Sequence, residues 1–438
     1  MTDTVRRLLV RPTFLKWSLV AFVLLVPLVF FTAWDYLEAR RLRTAIRAIS
    51  AKGEWVTPQE ARRVPRSQEA KLADRYYRAA ALIAAVEPED RRDGLLDAIR
   101  MLDWSPEILA RMQKFVDERQ EALRLLDEAS RLPFQGFALG ASYSYSFDSL
   151  VALARLAGFR TTLLVSTGEP ARAAGSVLTE LRLWHVVSRV IPPNLRVSLA
   201  DAIDRLGIVV GSAQPDEGAL APISAALGEL DRDDALKQAF ILTRAWFIET
   251  ATSGPNTYDW KMNGVPAMWL LAVLEPVRRP FVERMTAARV ERLTDLVTAM
   301  NRPWPARLTA IDDAYSGGGS TSPYIAGFRV VDLAMASRLA RELALVRCAR
   351  VVVAIERWSA TYRHQVPTRL EDLVPAYLEA VPIDPYSGGP VRLRVEARSY
   401  AVYSVGSNRR DDAGDFGFLR FTETGRESRD IGLRIQYR

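Results

Sequence analysis

The stretch that decides the fold is WSLVAFVLLVPLVFFTAW, which runs from Trp17 to Trp34. No charged residue interrupts it, and with Phe14 and Leu15 it reaches the length of about 20 residues that a helix needs to cross a bilayer. The two tryptophans bracket the run, as aromatic residues do at membrane interfaces. The sequence therefore predicts a single-pass transmembrane helix over residues 14–34, preceded by a short cytoplasmic tail, so that residues 1–35 form the anchor.

A cleaved signal peptide is the alternative interpretation of this run. Signal peptides carry an apolar region of about 7–15 residues, followed by a cleavage site of small residues. The run here is longer, and its best cleavage candidate, Phe31-Thr32-Ala33, matches that pattern poorly. We therefore expect an uncleaved signal-anchor in the membrane.

Basic residues do not decide the orientation of the anchor, because equal numbers lie on its two sides and long domains translocate largely regardless of charge. Four precede it and four follow it: Arg6, Arg7, Arg11 and Lys16, then Arg40, Arg41, Arg43 and Arg47. We expect the N-terminus in the cytoplasm and the bulk of the chain on the periplasmic side of a bacterial inner membrane. This expectation rests partly on the family resemblance described below.

Residues 36–315 have a mainly helical pattern and are predicted to form one α-helical domain. Ser105-Pro106-Glu107 is a helix start, with a capping serine, a proline in the first turn and an acid at the positive end of the helix dipole. The pattern that follows has apolar residues at helical spacing, at Leu109, Met112, Val116, Leu123 and Leu126.

Two further helices, 148–167 and 170–189, are joined by the turn from Thr167 to Pro170. Gly168 suits a helix end and Pro170 a helix start. The pair resembles a tetratricopeptide-type hairpin, although no second copy follows at a fixed period. Loops are predicted at 132–147 and 251–264.

The apolar run VPAMWLLAVL, residues 265–274, is too short to span a membrane. We interpret it as a buried core helix, with an interfacial membrane segment as the alternative.

The stretch SGGGSTSP, which begins at Ser316, has the composition of a flexible linker. We therefore predict a linker over 316–330 and a separate α+β module over 331–438. Within the module, a long helix over 331–362 precedes a short helix opened by Thr368 with Glu371 as capping box. Turn residues follow, then two strands joined around 396–398, with more strand-like pattern at 416–423 and 431–437.

A family resemblance is carried by the residues after the long helix. Tyr362 to Pro367 reads YxxxxP, Leu370 to Pro390 reads LxxLVPxYLxxVPxDPxSGxP, and Tyr400 to Asp415 reads YxVYSVGxNxxDDxGD. Residues 339–415 thus resemble the C-terminal domain of type II secretion pseudopilins of the G type. The resemblance implies a helix packed on a small antiparallel sheet, with calcium often bound in the final loop.

The N-terminus departs from that family. Pseudopilins begin with a short basic leader, a glycine cleavage site and a phenylalanine followed four residues on by a glutamate. This chain has no such site, and its apolar run contains no acid. About 300 residues also separate the anchor from the module. We therefore expect a pseudopilin-like domain borrowed by an envelope protein, rather than a filament subunit.

The loop SNRRDDAGD is a candidate calcium site. Calcium binds about six to eight oxygen ligands, mainly carboxylates, amides and backbone carbonyls. The candidate ligands are Asn408, Asp411, Asp412 and Asp415, joined by Ser404. The alternative is a solvated turn in which Arg409 and Arg410 pair with the acids.

Composition gives little sign of other chemistry. The net charge is +7, but acids are interspersed among the arginines, so nucleic-acid binding is not expected. Cys348, the single cysteine, excludes an intramolecular disulfide and has the neighbours of a buried core residue. The two histidines, His185 and His364, cannot supply a usual histidine-rich metal site.

The sequence contains no nucleophile elbow and no phosphate-binding glycine loop. We therefore expect a non-enzymatic interaction or scaffold protein with protein partners, linked to type II secretion or pilus-like machinery. The alternative is a membrane-anchored hydrolase that uses carboxylates in the loops of the helical domain, near Asp148 or Asp259.

Overall fold

The structure, a computed structural model, describes residues 12–58, 60, 67–84, 105–134, 143–190, 199–213, 215–252, 268–316, 323–362, 365–416 and 429–436. Within these residues the chain is mainly α-helical, with twelve α-helices and one three-stranded sheet. The first six helices are α1 (Pro12–Ala51), α2 (Gln68–Ala84), α3 (Pro106–Asp117), α4 (Gln120–Ser130), α5 (Tyr143–Ser166) and α6 (Pro170–Val190). The others are α7 (Ala200–Ala213), α8 (Glu217–Leu230), α9 (Ala235–Thr252), α10 (Met268–Ala299), α11 (Ala306–Ser316) and α12 (Pro323–Thr361).

The strands are β1 (Arg392–Val395), β2 (Ser399–Ser404) and β3 (Ile431–Gln436). They form an antiparallel sheet in the order β1-β2-β3. Arg394 of β1, Ala401 of β2 and Arg434 of β3 share one row across the sheet. The predicted strands β1 and β2 and their connection are confirmed, as is a strand at 431–436.

The chain divides into two compact units. The first contains Met1–Ala61, Phe240–Thr298 and Ala314–Phe328; the second contains Arg62–Ala239, Ala299–Asp313 and Arg329–Arg438. This division differs from the predicted domains, because the helical segment 62–239 and the sheet belong to one unit. The predicted independence of residues 331–438 stays a prediction.

The first unit has a small apolar core around the C-terminal half of α1. Leu42 and Ile49 pack with Ile248 of α9 and with Ala287 and Val290 of α10. Two fully buried arginines accompany this core. Arg244 donates to Glu54 at 2.5 Å and to Thr294 at 3.2 Å, and Arg289 donates to the Tyr315 hydroxyl at 2.7 Å.

The second unit has one continuous core that joins its helices to the sheet. The α5–α6 hairpin forms as predicted, and Gly168 takes the left-handed conformation (φ 73°) that a side chain would disfavour. Gly207 of α7 lies so close to β3 that an added Cβ would be 2.8 Å from Leu433 Cδ2. Glycine there lets the helix approach the strand.

Charged groups inside the second unit are paired. Arg160 makes a bidentate pair with Asp127, at 2.8 and 2.9 Å. Arg205 donates to the fully buried Glu180. Burial alone would lower the pKa of Arg205, but the Glu180 carboxylate outweighs that effect, so the pKa is raised overall. Because an unpaired buried charge is costly, these pairs hold α4, α5, α6 and α7 in one arrangement.

Several predicted boundaries need correction. The pattern over 105–132 forms two helices, because Arg119 leaves the helical conformation (φ −125°, ψ 25°). Helix α5 begins at Tyr143, inside the predicted loop 132–147, and α12 begins at Pro323, so residues 323–330 of the predicted linker are helical. Helix α9 runs one residue past the start of the predicted loop at 251.

The short helix predicted from Thr368 is only a 3-10 turn, Leu370–Leu373. Its cap is Arg369, whose N–H donates to the Asp372 carboxylate at 3.3 Å, and not Thr368 with Glu371. Pro375 cannot donate a backbone hydrogen bond, and it disfavours helical geometry in the residue before it. The helical turn ends before Pro375, at Val374, whose backbone is extended.

Candidate functional site in the C-terminal module

The motif that carries the family resemblance is organised by one buried carboxylate. Asp384 is only 1% exposed. Its Oδ1 accepts hydrogen bonds from Tyr386 N at 2.9 Å and from Ser404 Oγ at 2.6 Å. Its Oδ2 accepts from Ser387 Oγ at 2.8 Å and from Val405 N at 3.2 Å. These four donors satisfy the carboxylate and fasten the turn at 384–388 to the end of β2.

The same turn rests on a second segment of its unit. Gly388 has a positive φ of 76°, and an added Cβ would be 2.9 Å from Pro305 Cδ and 3.1 Å from Trp304 O. Arg347 of α12 donates to Ile383 O at 2.7 Å and pairs with Asp231 at 3.0 Å. The turn is therefore held by Arg347 of α12 and lies against the segment 304–305.

Cys348 lies beneath this turn, on α12, and is fully buried as predicted. Burial raises the pKa of its thiol, and the nearby charge of Asp384 raises it further. The thiol lies 3.7 Å from Ile431 O. A thiol in this setting stays protonated and acts as a small core residue.

Each carboxylate of the acidic loop has partners of its own. Asp411 accepts from Tyr403 Oη at 3.1 Å and pairs with Arg392. Asp412 accepts from Asn408 Nδ2 at 2.8 Å. Asp415 pairs with Arg429.

Of the five predicted calcium ligands, Asn408 and Asp412 contact each other, whereas Asp411 and Asp415 pair with different arginines. Ser404 is committed to Asp384 and does not join the loop acids. Among the described residues, no three histidine, cysteine, aspartate or glutamate side chains are placed to hold a metal ion. Calcium binding at this loop stays a prediction. A melting temperature that is equal in calcium and in a calcium chelator would contradict it.

Asp430 organises the loop, and sequence reasoning missed it. It is only 3% exposed, and it accepts from Gly414 N at 2.7 Å and from Asp412 N at 3.3 Å. Burial raises its pKa, the two N–H groups oppose that rise, and the charges of Asp412 and Asp411 reinforce it. The only available signal was an acid immediately before a predicted strand, which is too common to single out.

The titration of the loop depends on these neighbours. Burial, with the hydrogen bond to Asp411, raises the pKa of Tyr403 to about 12. The pKa of Asp411 is lowered: burial opposes the change, but donors from Ala413 N, Tyr403 and Arg392 outweigh it. Asp411 is therefore ionised and Tyr403 is a hydrogen-bond donor at neutral pH.

An open cleft of about 430 Å³ lies between the sheet and this loop. Arg434 donates to Glu396 at 3.0 Å and to Gly414 O at 3.1 Å, and Arg394 donates to Ala413 O at 2.6 Å. The remaining lining comes from Asp415 and Phe416. The cleft is polar and solvated, and it presents two arginines from one face of the sheet.

The other sequence candidates lie apart from this cleft. His185 is nearly buried on α6, with its Nδ1 3.7 Å from Glu229. His364 and Asp259 lie outside the described residues, and so does the side chain of Asp148. The strand-like pattern at 416–423 also falls almost wholly outside them.

No known protein family, curated protein or solved structure matches the chain.

Proposed function

We propose that this chain is a single-pass inner-membrane protein whose bulk lies in the periplasm and serves as a non-enzymatic scaffold for protein partners. One observation carries the proposal: α1 has two halves with opposite surroundings. From Leu19 to Phe30 its described side chains are exposed and apolar, whereas Leu42 and Ile49 are buried in the first unit. Exposing the apolar first half to water is unfavourable, whereas a bilayer would bury it.

The continuity of α1 supports an uncleaved anchor over a signal peptide. The helix runs without a break through the candidate cleavage site at 31–33. Immediately beyond that site, Trp34 packs against Phe281 of α10, with ring centroids 4.6 Å apart. Arg41 then pairs with Glu291 at 2.7 Å. The apolar segment is thus continuous with a helix that packs into a folded unit, as expected of an uncleaved anchor.

The scaffold assignment is supported by the second unit. Its helices and sheet share one core, so it presents a firm surface to a partner. The acids of its C-terminal loop are paired with arginine, asparagine or backbone donors. The helix-on-sheet arrangement of α12 and β1–β3 fits the pseudopilin resemblance and points to secretion or pilus-like machinery as the source of the partner.

The test is co-purification from native membranes with a tag after Arg438, against a control limited to residues 1–51. A stoichiometric partner that is absent from the control supports the scaffold. Deleting the C-terminal module is not a usable control, because it would expose the core that α7 shares with β3. Point variants of the cleft serve better: Arg394→Glu alters its lining, and Arg398→Glu makes the same charge change at an exposed position outside it.

Two outcomes contradict the proposal in different parts. If no protein is enriched over the control, the scaffold role fails, and a hydrolase screen of the purified chain becomes the next step. If a reporter phosphatase that is active only outside the cytoplasm stays inactive when fused after Arg438, the periplasmic orientation is wrong. Intact mass of the purified chain separates an anchor from a cleaved signal peptide.

A further inference from the structure

Strand β1 forms one edge of the sheet and is open to solvent. Three of its four residues are exposed, whereas all six residues of β2 are buried. Val395, at the end of β1, is 51% exposed. A strand at the edge of a sheet carries backbone N–H and C=O groups that its own sheet does not pair. The pairing of β1 with β2 identifies these groups.

The ladder between β1 and β2 fixes which backbone groups point outward. Glu396 N donates to Ser399 O at 2.8 Å at the turn end of the hairpin, so these two residues form a hydrogen-bonded pair. Hydrogen-bonded and non-hydrogen-bonded pairs alternate along an antiparallel ladder. Leu393 and Val395 therefore belong to non-hydrogen-bonded pairs, and their backbone groups point away from β2. Among the described residues, none makes a hydrogen bond to either of them on that side.

The chain itself already pairs with the beginning of this edge. Just before β1, Val391 N donates to Pro382 O at 3.0 Å, and the pairing there is antiparallel. Val391 is two positions before Leu393, so its N–H lies on the same edge. The outward groups of Leu393 and Val395 continue the edge beyond the point where this internal pairing ends.

The two faces of the edge differ in chemistry. Leu393 and Val395 are apolar, and Leu393 packs against the core of the second unit. Arg392 and Arg394 lie on the opposite face; each contacts an acid of its own unit, but their side chains remain 44% and 47% exposed. Side chains alternate in the same way along any strand that pairs with β1. A complementary strand has apolar residues opposite Leu393 and Val395, and an acidic residue opposite Arg394, because opposite charges across strands stabilise a sheet.

A second copy of the chain fits this edge poorly. When two β1 strands pair antiparallel by their open edges, arginine lies opposite arginine wherever charged residues of the two strands face each other. Like charges directly opposite each other destabilise a sheet. Charged residues on an edge strand commonly protect a protein from such self-pairing. The charges of β1 therefore favour an acidic segment of a different protein.

We propose that the open edge of β1 binds an extended segment of a partner protein, which adds as an antiparallel strand and carries alternating apolar and acidic residues. Its acidic side chains face Arg392 and Arg394, and its apolar side chains lie beside Leu393 and Val395. Antiparallel addition continues the pairing at Pro382 and is slightly more stable per residue than parallel addition. The inference rests on the proposed scaffold function, and it names the surface and the chemistry of the partner.

The test uses a fluorescent peptide of alternating valine and glutamate, added to the purified full-length chain in detergent micelles. Fluorescence anisotropy gives its dissociation constant. A peptide in which lysine replaces glutamate is the charge control. Two further peptides are N-methylated, one at the valine amides and one at the glutamate amides. Because the valines lie opposite Leu393 and Val395 in the proposed pairing, only the valine amides donate to β1.

We expect saturable binding of the glutamate peptide and several-fold weaker binding of the lysine peptide. Methylation of the valine amides should weaken binding more than methylation of the glutamate amides. Val395→Pro removes one outward N–H, which an edge strand tolerates, and Val395→Thr is the matched control that keeps it. The proline variant should bind the glutamate peptide about fivefold more weakly than the threonine variant, which corresponds to about 1 kcal/mol, or one hydrogen bond.

Several results would overturn the inference: no saturable binding, equal binding of the glutamate and lysine peptides, or equal effects of the two methylations. The methylated peptides provide this reading even if the proline variant does not fold. Light scattering tests the other occupant, because a natural chain that is dimeric and becomes monomeric as Val395→Pro would assign the edge to a second copy. Failure of the scaffold function is a separate result, since it is measured by co-purification from native membranes and not by peptide binding.

Discussion

Helices α1 and α12 are nearly equal in length, with 40 and 39 residues, but lie in opposite surroundings. Five consecutive residues of α12, 351–355, are each fully buried, so protein covers the helix on every side at that point. In α1 the consecutive residues 25–30 are all exposed. Apolar content alone therefore does not say what surrounds a helix. In α12 the rest of the fold supplies that cover, and in α1 we assign it to lipid.

The largest effect is expected when a charge enters the protein-covered helix. Val352→Asp should lower the free energy of unfolding by at least about 4 kcal/mol, because an unpaired carboxylate would be buried. Urea unfolding of the detergent-solubilised protein measures it. Val352→Ala, which only removes volume, should cost about 2 kcal/mol. Equal effects of the two variants would show that water reaches Val352, which would contradict the conclusion that protein covers α12 on every side.

The same substitution in α1 should act on insertion instead of folding. Val26→Asp places a charge in the membrane-spanning half, where aspartate costs about 3 kcal/mol of insertion free energy near the bilayer centre. We expect a larger soluble fraction after membrane sedimentation and an unchanged urea midpoint for the second unit. A lower midpoint would mean that Val26 packs against protein. Val26→Leu, which keeps the side chain apolar, should sediment like the natural chain.

The contrast also shows how far the sequence could be interpreted. The membrane-length run in α1, the cap at Ser105, the turn at Gly168 and the hairpin of β1 and β2 are local, and short-range patterns predicted them. The start of α12 was misplaced because glycine and serine at 316–320 favoured a linker, whereas helix begins at Pro323. Residues before a helix can share the composition of a linker, so composition alone did not fix the boundary.

What the sequence did not reveal depends on contacts between distant residues. Gly207 lies against Leu433, more than 200 residues away in sequence, and no periodicity in either segment predicts that contact. Asp384 lies among the turn residues of the quoted motif 370–390, but the sequence did not reveal that it would be buried beside Ser404 and Val405. In the candidate site the sequence showed that the acids are clustered, but not which residues pair with them. Their partners Arg392 and Arg429 lie on segments that come beside the loop only in the folded protein.

A smaller effect is expected where the pseudopilin-like turn rests on its neighbour. Gly388→Ala should destabilise the second unit by about 2 kcal/mol, because a side chain at positive φ is strained and the new Cβ would crowd Pro305. Gly389→Ala is the matched control: its Cβ would meet nothing nearer than Ser387 Oγ at 3.8 Å. Thermal unfolding of both variants compares them. Similar melting temperatures would mean that the turn adjusts to the new side chain and would contradict the expected strain at Gly388.

The smallest effect belongs to the exposed loop, where water already solvates the charges. Asp411→Asn should cost less than about 1 kcal/mol near neutral pH, as for most surface ion pairs. Because folding lowers the pKa of Asp411, its contribution is fully present above the ordinary aspartate pKa of about 3.9. The contribution is lost as the pH falls through the lowered folded value, so the variant and the natural chain should converge there. Urea unfolding at a series of pH values measures the difference.

Tyr403→Phe removes one donor to the same carboxylate, so the double variant should cost less than the sum of the single ones. Additive costs would show that the hydroxyl and the carboxylate act independently, and that the loop is held by Asp430 and its backbone contacts instead.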